Sequence, residues 1–214
     1  MTIQDIIKHR GIEEILHFTT SQGLTGILAS KAIIPRKRLP KEKYLERIVI
    51  YNCNDRSRDK EWLDYVNLSI TTINLRLFGI SEGKWHKDID GWWCVLSFKP
   101  EILTHTGVYF CTTNNAYPSV QRRKGALGLA SLFDEKIERF PNWIAERTRA
   151  TPENQPTCNQ AEVLYPELLS TDYLQHVYVK NEEHAYATES IIGMFDGIPS
   201  VDCEVKSKVF AYGE

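Results

Sequence analysis

Apolar runs and the polar stretches between them divide the chain into short elements. Residues 14–18 (EILHF) read as a strand. Thr19 to Ser21 then offers N-cap hydroxyls before Gly23 to Ala32, where Leu24, Ile27, Leu28 and Ala32 share one helical face. Pro35 and Pro40 bracket a basic loop, and residues 41–51 fit helix or strand equally. Residues 52–64 (NCNDRSRDKEWLD) form a polar connection to a strand at 65–73 (YVNLSITTI). Gly79 to Gly91 suits a loop, 92–98 (WWCVLSF) a strand, Pro100 to Leu103 a short helix, and 107–112 (GVYFCT) another strand. Pro118 to Glu138, carrying Leu127, Leu129, Leu132 and Phe133, reads as mostly helical. Residues 148–160 form a polar loop held over a site, followed by strands at 161–165 and 174–179, a helix at 182–194 and a last strand at 203–212. Strands are frequent, helices fall mainly in the first half, and no regular βαβ alternation appears. The pattern predicts an α+β fold.

Composition narrows this to one globular domain over 1–214, because 214 residues with 42% hydrophobic positions, 5 Trp, 10 Tyr and 8 Phe can bury a sizeable core. No run approaches the roughly 18 apolar residues that span a bilayer, and the opening MTIQDIIKHRGIEE has no signal-peptide core. The expectation is a cytoplasmic protein without a membrane partner. Cys53, Cys94, Cys111, Cys158 and Cys203 form no CxxC pair, which argues against zinc and against a disulfide framework. Cys94 and Cys111 sit in apolar runs and read as core.

Charge adds an asymmetry that the net value of −2 conceals. Residues 1–150 carry 23 Lys and Arg against 17 Asp and Glu, whereas 151–214 carry 3 against 11. Lys31, Arg36, Lys37, Arg38, Lys41, Lys43 and Arg47 lie in one stretch; Arg122, Arg123 and Lys124 form another. Such runs are most often solvated surface. The alternative is a face that follows phosphates.

The familiar catalytic signatures are missing: no GxGxxG, GxxxxGK[ST], HExxH or GxSxG occurs. What remains is a scattered set. His17-Phe18-Thr19-Thr20 ends a strand, Arg58 precedes one, Thr112-Thr113-Asn114-Asn115 follows one, and Gln160-Ala161-Glu162 opens one directly after a polar loop. Each is weak alone, since a lone histidine, arginine or glutamate is usually structural or solvated.

In order along the chain these blocks resemble the DarT family of DNA ADP-ribosyltransferase toxins. The blocks are LHFTTSQGLTGILASKAII, Arg58 followed by LDYVNLSI, WCVLSFKPEIL followed by YFCTTNNA, and NQAEVL. They cover roughly residues 12–180; the acidic segment 181–214 has no counterpart among them. The NLSI and FCTTNNA blocks are closer to the guanine branch than to the thymine branch. The resemblance implies an ADP-ribosyltransferase fold, a split β-sandwich with flanking helices and an NAD cleft. NAD would be a substrate, with no metal. Glu162 and Arg58 would be catalytic. His17, Thr19, Ser69, Asn74 and Tyr65 would line the cofactor cleft, with Tyr51 and Tyr65 able to stack or to sit in the core. Residues 141–161 would choose the substrate, with Trp143, Arg147 and Arg149 binding nucleic acid and Arg122 and Arg123 steering it. The implied activity is mono-ADP-ribosylation of a base, guanine favoured, in single-stranded DNA, because a base-modifying enzyme must reach an unpaired base. The setting would be a toxin–antitoxin or phage-defence operon, with an antitoxin or ADP-ribosyl-hydrolase partner. RNA remains open as substrate, Gln160 leaves a protein target open, and a non-catalytic nucleic-acid-binding domain is a third reading.

Overall fold

The computed structural model describes residues 1–39 and 56–211. The expectation for 41–51, and Lys41, Lys43, Arg47, Tyr51 and Cys53, lie outside the described residues. The strands are β1 (Ile15–Thr20), β2 (Ala32–Ile33), β3 (Tyr65–Ile70), β4 (Trp93–Phe98), β5 (Tyr109–Cys111), β6 (Arg122–Lys124), β7 (Lys136–Phe140), β8 (Trp143–Glu146), β9 (Glu162–Pro166), β10 (Leu169–Ser170), β11 (Leu174–Val179) and β12 (Asp202–Val205). The α-helices are α1 (Ile3–Arg10), α2 (Ser21–Ser30), α3 (Leu75–Ile80), α4 (Gly125–Ser131) and α5 (Glu182–Ile192).

Among the described residues, eight strands form one sheet in the order β12-β11-β4-β1-β3-β9-β5-β6. All neighbours are antiparallel except β11 and β12. The centre is apolar on both faces, so side chains alternate between two cores. On β4, Cys94, Leu96 and Phe98 join the cluster under α1, α2 and α4, while Trp93 and Val95 join a second cluster with Phe18, Phe78 and Phe210. The feature that matters for function is a split. β1 pairs with β4 over all six of its residues, but with β3 only through Ile15 and Leu16. Beyond Leu16 the two strands part, and the sheet opens into two halves.

Local chemistry sets the helix ends. Thr2 and Asp5 form a capping box on α1, and Gly11 closes it at φ 64°. Thr20 ends β1 and caps α2 by accepting the Gly23 N–H. A Cβ on Gly23 would lie 2.1 Å from the Thr19 hydroxyl, so only glycine fits where α2 crosses β1.

Several expectations needed correction. Pro118 to Glu138 is not mostly helical: α4 holds only seven residues, flanked by β6 and β7. The loop expected over 141–161 begins as a hairpin, β7–β8, turned by Pro141 and by Asn142 at φ 66°. That is the residue pair of a type II turn, Pro fixing φ and Asn tolerating the left-handed region. The loop expected at Gly79–Gly91 contains the end of α3 and a π-turn over Ser81–Trp85. The final strand stops at Val205, and a 3-10 turn takes Ser207–Phe210 into the second core. The N-terminal helix α1 had no counterpart in the sequence reading. Segment 181–211 supplies α5 and β12, which complete the β11 edge of the sheet. No helix among the described residues is long and apolar enough to cross a membrane.

Candidate active site

A cleft of about 460 Å³ opens where β1 and β3 part, a size ordinary for a small-molecule site. His17 bridges the split: its Nδ1 lies 3.0 Å from the Asn67 carbonyl of β3. A carbonyl only accepts, so Nδ1 carries the proton and Nε2 the lone pair. Burial pushes His17 below the usual histidine range, partly offset by that hydrogen bond. The ring is therefore neutral at pH 7, with Nε2 an acceptor on the cleft wall.

Glu162 forms the floor. It is the first residue of β9, placed by the pairing of Cys111 with Glu162. It is only 4% exposed, yet fully partnered. Asn67 Nδ2 donates to Oε2 at 3.0 Å, the Asn115 backbone N–H to the same oxygen at 3.0 Å, and Asn114 Nδ2 to Oε1 at 2.8 Å. All three donors are neutral. Burial pushes its carboxyl up to about 7, against the Asn115 and Asn67 hydrogen bonds and the Arg56 charge, while nearby Asp59 pushes it further up. A carboxylate poised there can both stabilise positive charge and accept a proton at neutral pH.

The cation beside this floor is Arg56. Its Nη1 donates to Asn67 Oδ1 at 3.1 Å, and its other nitrogens clamp Asp59 at 2.9 and 2.7 Å. Asp59 in turn accepts from Asn115 Nδ2 at 3.3 Å. Arg58 lines the same cleft but is exposed, whereas Arg56 touches Asn67, a partner of Glu162. Thr19, Ser69, Asn74 and Tyr65 all line the cleft with His17 and Glu162. Tyr65 also packs in an aromatic triangle with Trp62 and Tyr109.

The nucleic-acid candidates separate into three groups. Arg122 is turned inward: Nε and Nη2 bind the Asn115 side chain and carbonyl, and the guanidinium covers Trp62. It supports the Glu162 cradle. Arg147 donates to the Gln155 and Pro152 carbonyls, both at 2.7 Å, and so ties down the loop before β9. Trp143, Arg123 and Arg149 are exposed. Trp143 lies over Arg139, 4.9 Å from its ring centroid, and stacks beside Phe140, which packs on Tyr117. No local signal in the sequence marks Arg56, Asn67, Asp59 and Arg139. Asn114 and Asn115 were noticed only as a polar cluster.

Comparison with known proteins gives one family and one fold. The family described as ssDNA thymidine ADP-ribosyltransferase, DarT, matches residues 16–211. No curated protein matches the sequence. Thermus sp. 2.9 DarT in complex with carba-NAD+ superposes with a TM-score of 0.66 at 12% identity, over 93% of this chain and 98% of that one. The same protein in complex with ADP-ribosylated ssDNA gives 0.65 at 13%, over 94% and 97%. Thermosipho africanus DarTG in complex with ADP-ribose gives 0.60 at 15%, over 92% of this chain and 51% of that one. At these identities the structural likeness is one of fold; the family match, which spans most of the sequence, decides membership. The chain belongs to the DarT family of ssDNA thymidine ADP-ribosyltransferases.

Proposed function

We propose that the chain is a single ADP-ribosyltransferase unit that moves ADP-ribose from NAD+ to a base of single-stranded DNA. The observation that carries this reading is Glu162 itself: a buried carboxylate, held by three neutral donors, on the floor of a cleft walled by neutral His17. Relatives of the same fold are described in complex with NAD+ and with ADP-ribosylated ssDNA. In the reaction the bond from C1′ to the nicotinamide nitrogen breaks and its electron pair leaves with nicotinamide. A base nitrogen bonds to C1′ and loses its proton.

The residues divide the work. His17 Nε2 accepts from a ribose hydroxyl, with Thr19 and Ser69 beside it and Tyr65 on the wall. Glu162 stabilises the positive charge that develops on the ribose and takes the proton of the attacking nitrogen. Exposed Arg58 on the cleft rim supplies positive charge for the pyrophosphate or the DNA backbone, while Arg56, bound to Asp59, steadies the Glu162 cradle through Asn67. Trp143, Arg123 and Arg149 form the exposed part of the nucleic-acid face. The NLSI and FCTTNNA blocks support guanine as the base, whereas the family's description names thymidine, and the oligonucleotide assay below decides between them. The biological role is that of a toxin neutralised by a partner protein, in keeping with the two-part name DarTG of one relative.

Mass spectrometry of mixed-sequence single-stranded DNA and RNA oligonucleotides, incubated with protein and NAD+, tests the reading. One added ADP-ribose on DNA, lost in Glu162→Ala, is the expected result, and fragmentation names the base. NAD+ consumption without any oligonucleotide adduct would overturn it.

A further inference from the structure

Next to Glu162, two buried carboxamides have their orientation fixed by what they already bind. Asn74 follows the strained end of β3, where Thr71 holds φ at 63°. Its Oδ1 accepts the Leu77 N–H at 3.1 Å as the N-cap of α3. An N–H can be accepted only by oxygen, so Nδ2 must point the other way. Asn74 is 3% exposed and lines the cleft, and its Nδ2 has no partner among the described residues. A buried donor left unpaired is costly, so a ligand acceptor that meets it gains affinity. Gln160 is 2% exposed and lies two residues before Glu162. Its Oε1 accepts from Arg139 Nη2 at 2.7 Å, which turns Nε2 toward Asn74, with a long contact of 3.5 Å to Asn74 Oδ1. Arginine only donates, so this amide is fixed as well. Asn74 Nδ2 is thus a buried donor with no partner among the described residues, and beside it Gln160 Nε2 has only the long contact to Asn74 Oδ1.

We infer that Asn74 and Gln160 read the target base as a keto base, by donating to a ring carbonyl oxygen. This rests on the base-modifying reading above, and it assigns Asn74 to the base rather than to NAD. Thymine O4 and guanine O6 accept hydrogen bonds; the N4 and N6 amino groups of cytosine and adenine donate. An amino base would set donors against donors and strand the buried amides. Position supports the base over the dinucleotide. Arg139, which orients Gln160, lies on the hairpin β7–β8 against exposed Trp143, the residue assigned above to the nucleic-acid face. Guanine and thymine share the feature, so the pair sorts keto from amino bases without choosing between the two.

The test is a ratio of kcat/KM values on otherwise identical single-stranded oligonucleotides, read by mass spectrometry. Guanine is compared with 2,6-diaminopurine, and thymine with 5-methylcytosine. Wild-type protein should prefer the keto member at least tenfold. Asn74→Asp keeps the helix cap and turns an acceptor to the base; Gln160→Glu keeps the Arg139 contact and does the same. Each should reduce the preference tenfold or more, a ratio that damage to folding or to NAD+ binding does not move. A preference unchanged in both variants would overturn the inference, as would wild-type modification of an amino base with the transferase reading intact. NAD+ consumption with no adduct on any oligonucleotide would remove both readings together.

Discussion

Replacing Glu162 by Gln isolates one titration in the pH dependence of stability. Burial raises the folded-state carboxyl to about 7, against a reference value of 4.5. Between these values the folded protein holds a proton that the unfolded chain has released. Stability from this group is therefore fully present below about pH 4.5 and is lost as pH rises through 7. Integrating between pH 5 and pH 8 gives a loss of about 2.5 kcal/mol, at roughly 1.36 kcal/mol per pH unit. The absolute stability of Glu162→Gln is less informative. Its new NH₂ group faces Asn114 Nδ2 or the donors Asn67 and Asn115, a donor–donor conflict of about 1–3 kcal/mol. The slope is the clean quantity. Partly buried His17 and His86, both pushed below the usual histidine range, act in the opposite sense, gaining stability as pH rises. They do so equally in both proteins, so the difference between the two curves removes them. Urea unfolding of wild type and variant at pH 5, 6, 7 and 8 supplies those curves. The wild type should lose about 2.5 kcal/mol relative to the variant over this span. Parallel curves would show that Glu162 does not titrate there, and the argument for a carboxylate basic at neutral pH would fail.

Further outcomes follow from the same geometry. Arg56→Ala strands buried Asp59, 5% exposed at its side chain, and should cost about 3–5 kcal/mol in thermal or urea unfolding and abolish transfer; Arg58→Ala, at an exposed position, should change stability by no more than about 0.5 kcal/mol. Asp59→Asn removes a charge that raises the Glu162 carboxyl, so the acidic limb of the pH–rate profile should move to lower pH; an unmoved limb would count against their coupling. Arg147→Ala releases two carbonyls and should destabilise by about 1–3 kcal/mol without changing the salt dependence of DNA binding, whereas a phosphate contact would reduce that slope. Trp143→Ala, at a side chain half in solvent, should leave the melting curve almost unchanged while raising KM for the oligonucleotide about 5- to 150-fold, by loss of about 1–3 kcal/mol of stacking.

What the sequence disclosed depended on how local the cause was. WWCVLSF marks β4 because a strand buried on both faces is apolar throughout, and Thr19 to Ser21 marks the start of α2 because a cap acts within three residues. The hairpin β7–β8 was also local, and its Pro141-Asn142 turn lay in plain view. Leu127, Leu129, Leu132 and Phe133, at spacings a helix tolerates, carry the helical reading to Glu138, inside β7, and the rest of the hairpin reads as loop. The choice between Arg56 and Arg58 was not local. It is made by a kink at Asp59, with φ −136° and ψ 37°, that turns Asp59 into the core and draws Arg56 after it. The Glu162 cradle was equally hidden, because Asn67 and Asn115 reach it only through the pairings of β3 and β5 with β9.

The placement of the positive charge explains why the site can be both ordered and reactive. A guanidinium bonded directly to Glu162 would orient it but hold it ionised and weaken it as a base. Here Arg56 is occupied by Asp59, and its influence reaches Glu162 through Asn67. Arg122 stands likewise one step back, acting through Asn115. The amides fix the direction of the carboxylate while burial keeps its proton affinity high. His17 then closes the arrangement, because the bond that spans the split in the sheet also sets the tautomer of the ring. The parting of β1 from β3 thus creates the cavity, exposes the Asn67 carbonyl for His17 and leaves the Asn67 side chain for Glu162, so that one irregularity in the sheet positions both walls of the site.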